Sequence, residues 1–123
     1  MAAHADLWGE ITPSAVRTPV SILREQASLL GAKTNYTIEG KVETRIDGEK
    51  FYHLFNLVVP ALDNYSYQLF QIWHEVGLYP VRVWGAFGEE LANEEAFVNW
   101  LGRKLSSSET KSIIGNLFAQ ANS

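Results

Sequence analysis

Residues 36–59 read YTIEGKVETRIDGEKFYHLFNLVV, and this stretch decides the fold class. Tyr36, Ile38, Val42 and Ile46 alternate with Thr37, Glu39, Lys41, Glu43 and Arg45, the period-two pattern of a half-buried strand. Asp47-Gly48 follows, a strong hairpin signal, because a type I′ turn needs positive φ at both central residues. Such a turn sets Ile46 opposite Glu49, Val42 opposite His53, Gly40 opposite Phe55 and Ile38 opposite Leu57. One face of the hairpin then carries Ile38, Val42, Phe51, His53, Phe55, Leu57 and Val59. The other carries Glu39, Lys41, Glu43 and Arg45 beside Tyr52, Leu54, Asn56 and Val58.

Working outward, Pro60 to Asn64 reads as a connection and Tyr65 to His74 as a third strand. Both sides of that strand are substantially apolar, so the pattern does not say which points inward. Val81 to Phe87 forms a fourth strand, and the short links favour an antiparallel meander. Upstream, Thr18-Pro19 starts a helix whose apolar positions Val20, Leu23, Ala27 and Leu30 recur at helical spacing. Gly31 is expected to end it in a left-handed conformation, giving a helix over 19–31. Downstream, Asn93 caps a helix with Phe97, Trp100, Leu101 and Leu105 on one side. Ser106 with Glu109 offers a capping box for a last helix holding Ile113, Ile114 and Leu117. Gly102 and Gly115 fall inside these helices, where close packing is the expected reason for them. The chain is thus expected to be one α+β domain, 1–123, in the order α-β-β-β-β-α-α. Its four-stranded antiparallel meander would form a two-layer sandwich with the helices.

The 123 residues hold no cysteine, which excludes disulfides, thiolate metal sites and a Cys nucleophile. The first ten residues contain two acids and neither Lys nor Arg, unlike a secretory leader, and no apolar run approaches the roughly twenty residues of a membrane span. A cytoplasmic protein without a membrane partner is expected. Net charge is −4 and the ten basic residues are scattered, which speaks against nucleic acid and suits a basic protein partner.

Three histidines, His4, His53 and His74, show no metal-ligand spacing, so no metal site, cofactor or catalytic residue is assigned. His53 is expected on the apolar sheet face, either as a satisfied core residue or lining a pocket. Asp63 is the best-placed carboxylate, although Leu62-Asp63-Asn64 is also ordinary turn chemistry. A ligand site between sheet and helices would draw on His53, Tyr52, Tyr67 and Asp63, with His53 moving a proton.

The second sheet face resists so plain an account. Tyr52, Leu54, Val58, Arg82 and Trp84 fall there, and Tyr, Trp and Arg are the side chains enriched at interface hot spots. Helices could cover both faces, the face could pair with itself, or it could receive another partner. The sequence favours a non-enzymatic interaction protein acting as a homodimer through that face. The alternative is a small-molecule-binding protein or small enzyme with an apolar pocket near His53.

Three stretches, Ile22–Gly31, Pro60–Tyr65 and Leu78–Val83, resemble a group of small uncharacterised bacterial proteins. The resemblance implies a compact bacterial domain and carries no functional residues with it.

Overall fold

The computed structural model describes residues 5–85 and 88–123. Its helices are α1 (Pro19–Lys33), α2 (Glu94–Leu105) and α3 (Ser108–Ala121). Its strands are β1 (Glu39–Asp47), β2 (Lys50–Val59), β3 (Tyr65–His74), β4 (Val81–Val83) and β5 (Glu90–Leu91). The strands form a single antiparallel sheet in the order β1-β2-β3-β4-β5. The α+β class therefore stands, with five strands rather than four. The extra one is two residues long, too short to show a period of its own. The fourth strand is shorter than expected, ending at Val83 with Trp84 and Gly85 outside it, and positions 86–87, like His4, lie outside the described residues.

Thr18 caps α1 by accepting from the Ser21 amide at 3.2 Å, with Pro19 at the first helical position. Gly31 does not end the helix. It runs two residues further, and the left-handed residues are Asn35 and Tyr36, at φ of 51° and 62°. Thr34 holds this corner: its hydroxyl lies 2.9 Å from the Ile38 carbonyl and accepts from the Ile38 amide at 3.2 Å. That delays the first strand to Glu39. Nearby, the Arg17 amide donates to Glu94 at 3.1 Å and the Tyr79 hydroxyl to the Arg17 carbonyl at 3.0 Å, tying the entry of α1 to the start of α2.

The hairpin forms where expected but in another register. Asp47 pairs with Lys50, so the loop is Gly48-Glu49, and Gly48 at φ 59° takes the first central position that a type II′ turn gives to glycine. Val42 now faces Phe55, and Thr44 faces His53. A slip of two keeps every side chain on its own face, whereas a slip of one would have exchanged the faces.

Between β2 and β3 the register shifts at Phe55/Asn56, where Leu69 is the extra residue. Phe70, Ile72 and His74 lie opposite Phe55, His53 and Phe51, while beyond the bulge Tyr67 and Tyr65 lie opposite Leu57 and Val59. Both apolar sides of β3 therefore contribute to the inner face, one at each end. The helices supply Ile22, Leu23 and Ala27 from α1, Phe97, Trp100 and Leu101 from α2, and Leu117 from α3 to that same core. At Gly40 the helix layer comes so near that an added Cβ would lie 2.6 Å from the Ala27 Cα. Gly102 and Gly115 are different. An added Cβ at either would meet nothing within 4 Å, so close packing is not their reason. The cap of α3 is Ser107, accepting from the Thr110 amide at 3.2 Å, and not Ser106.

Candidate functional site: a buried histidine pair and an uncovered sheet face

The β2–β3 register brings together two histidines 21 positions apart. Their Nε2 atoms are 2.9 Å apart, and both residues are buried. Thr44 Oγ1 lies 2.9 Å from His53 Nδ1, and His74 Nδ1 lies 2.6 Å from the Glu75 carbonyl. A carbonyl can only accept, which fixes the proton of a neutral His74 on Nδ1. His74 Nε2 must then accept from His53 Nε2–H, and His53 Nδ1 accepts from the Thr44 hydroxyl. Phe51 stacks on His74 at 5.5 Å. The pair lines a cavity of about 400 Å³ with Thr44, Arg24, Ile46 and Val76.

Thr44, His53 and His74 thus repeat the geometry of a nucleophile, its base and an orienting group. The energetics do not follow. Burial, then the neighbouring His74 and Arg24, lower His53 to about 4. An effective general base is poised near the working pH, and an imidazolium beside Arg24 with no carboxylate behind it is poorly supported. Among the described residues, no group of three or more His, Cys, Asp or Glu stands together to hold a metal.

The other residues of the expected ligand site do not join His53. Tyr52 is its neighbour on β2 and faces the opposite side of the sheet. Tyr67 sits beyond the bulge opposite Leu57, and Asp63 occupies a left-handed turn position at φ 56°. The cavity between sheet and helices, about 420 Å³, is a separate one. Leu30, Phe55, Leu57, Leu69, Leu105 and Ile114 wall it, and Lys33 and Lys111 are exposed at its edge.

On the outer face, Tyr52, Leu54, Asn56 and Val58 have no part in the cluster that joins helices to sheet. Leu54 and Val58 nevertheless have only 5% and 9% of their surface exposed, in register between longer neighbours such as Glu43 and Gln71. They offer a partner little. The accessible part lies at one end, where Trp73 packs 6.3 Å from Tyr52 and Tyr52 meets Trp84 edge-on at 6.3 Å. Lys50 and Arg82 stand over the Trp73 ring at 4.7 and 4.9 Å, and Arg82 pairs with Glu90 at 3.4 Å. Trp84 is 61% exposed. The sequence already placed Tyr52, Arg82 and Trp84 on this face. It missed Trp73 and Lys50, because the side Trp73 takes depends on the bulge.

No family model matches the chain, and neither a curated protein nor a solved structure matches it. No described helix is long and apolar enough to cross a membrane.

Proposed function

We propose that this protein is a non-enzymatic interaction protein that acts as a homodimer and offers its outer sheet face to a protein partner. The observation that carries this is the Tyr52–Trp73–Trp84 cluster with its two cations, on a face that takes no part in the packing of the described helices. Large aromatics and Arg beside water are what hot spots are made of. Elsewhere, in the segment before α1, Leu7, Trp8 and Ile11 are also exposed. At long range the net charge of −4 favours a basic protein. The test compares the intact protein with Trp84→Ala in co-purification from the native host. A partner held by the intact chain and lost from the variant supports the proposal. No partner on the intact chain refutes it.

A second reading, small-molecule binding, is favoured by the apolar cavity with Lys33 and Lys111 at its edge, which suits a small amphipathic carboxylate. His53 would take no part, since both its ring nitrogens are engaged within the chain. Octanoate titrated against the amide spectrum should shift Leu30, Leu105 and Ile114. Unmoved signals there would dispose of this reading.

A further inference from the structure

β1 is a nine-residue strand at the edge of the sheet, paired on one side only among the described residues. A free edge of this length presents a row of unpaired donors and acceptors, which proteins protect or use. Its outer-face side chains run Glu39, Lys41, Glu43, Arg45, with signs that alternate. Across β2 these four meet Val58, Asn56, Leu54 and Tyr52, so none faces an opposite charge there.

The hairpin also determines which backbone groups are free. A two-residue loop makes Asp47–Lys50 a hydrogen-bonded pair, and pairs alternate from there. The odd residues of β1 therefore bond to β2. Gly40, Val42, Thr44 and Ile46 point their N–H and C=O groups outward.

A two-fold antiparallel pairing of this edge with itself allows few registers. With the axis at Val42, Glu39 lies opposite Arg45 of the second copy and Lys41 opposite its Glu43. All four charged pairs are then of unlike sign. Moving the axis to Lys41 sets Lys41 against Lys41 and Glu39 against Glu43. Moving it to Glu43 sets Glu43 against Glu43 and Lys41 against Arg45. Both moves are repulsive.

An axis at Thr44 again opposes unlike charges, and the inner face separates it from Val42. Near Gly40, β1 lies under α1 and Ile38 is fully buried, whereas Thr44 is exposed and Ile46 is 64% exposed. The Val42 axis would set Ile46 opposite Ile38, whose N–H and C=O are both taken up by the Thr34 hydroxyl within the chain. The Thr44 axis sets open half against open half.

We propose that β1 pairs edge to edge with β1 of a second copy of this chain about a two-fold axis at Thr44, where only free edge residues meet, joining two five-stranded sheets into one. This pairing rests on the homodimer reading above and leaves both outer faces on the same side, free for a partner.

The test is the dimer dissociation constant of four proteins, measured by sedimentation: the intact chain, Lys41→Glu, Glu43→Lys and the double exchange. All the altered side chains are exposed. Each single change acts twice about the axis and should weaken the dimer roughly ten-fold or more. The double exchange should weaken it further, because position 41 faces Asp47 and position 43 faces Arg45 of the second copy. A double variant restored to the affinity of the intact chain would overturn the Thr44 register in favour of Val42. Single variants that dimerise like the intact chain would overturn the edge pairing, and loss of that dimer in Trp84→Ala would then keep the homodimer on the aromatic face. A monomer at the highest concentration reached would overturn both. Amide exchange on the intact chain gives an independent check. Protection at Val42, Thr44 and Ile46 should rise with protein concentration, while Lys41 and Glu43 stay protected throughout. Protection at the three that does not depend on concentration would overturn the pairing.

Discussion

Gly40 is where one hydrogen atom in place of a methyl lets α1 rest on β1. The clash of an added Cβ is with backbone, the Ala27 Cα at 2.6 Å, so no rotamer change relieves it. Gly40→Ala should cost about 1–3 kcal/mol, the usual range for overpacking, in urea unfolding. A loss within about 0.5 kcal/mol, as for an ordinary surface change, would mean the helix shifts freely there. His53 gives a residue-level prediction in pH. Its folded value, about 4, lies below the unfolded 6.5, so the unfolded chain binds more protons between the two. Stability therefore falls as pH drops from 6.5 towards 4, by roughly 3 kcal/mol from this group, and its contribution is flat above 6.5. His53→Phe should remove that slope whatever it does to stability at neutral pH. An unchanged slope would assign it to the carboxylates. The sequence placed His53 on the inner face correctly, since that needs only the alternation. It could not place His74 against it, because that contact depends on which side of β3 turns inward near its end.

The same division between period and register holds for whole elements. Helix existence was legible from spacing and caps: Thr18-Pro19 and Asn93 stand where they were expected. Exact ends depended on competing hydroxyls. Ser106 and Ser107 both satisfy the pattern of a cap, and the structure uses Ser107. Ser107→Ala should therefore cost about 1 kcal/mol of stability, measured by thermal unfolding, and an equal cost from Ser106→Ala would undo the assignment. α3 also carries a glycine that the packing does not require. Gly115 has open space for a Cβ and no positive φ, so Gly115→Ala should stabilise by about 0.5–1 kcal/mol. Destabilisation would point to a neighbour that needs the gap. In the sheet, the faces of β1 and β2 were legible while their partners were not, because two tight turns compete, one with Asp47-Gly48 at its centre and one with Gly48-Glu49. The bulge at Leu69 left no trace in the sequence: with apolar residues on both sides of β3, no polar residue marks the point where the faces change over.

Across the whole molecule the sheet divides two populations of aromatic side chains. On the inner side Trp100 is 7% exposed, edge-on to Phe70 at 5.2 Å and stacked with Phe97 at 6.3 Å. On the outer side Trp84 is largely in water and packs on Tyr52 alone among the described rings. If the inner ring serves stability and the outer one recognition, the two substitutions must part company. Trp100→Ala should cost about 3–5 kcal/mol, as truncating a buried aromatic does. Trp84→Ala should stay within about 0.5 kcal/mol of the intact protein, the range of surface positions. Denaturant unfolding with circular dichroism measures both. Near-neutral Trp84→Ala means that folding does not maintain that ring, and an exposed tryptophan with no folding role needs another reason to be there. A cost of several kcal/mol would instead make the Tyr52–Trp73–Trp84 cluster a second, smaller core, and would remove the main support for a recognition surface on that face.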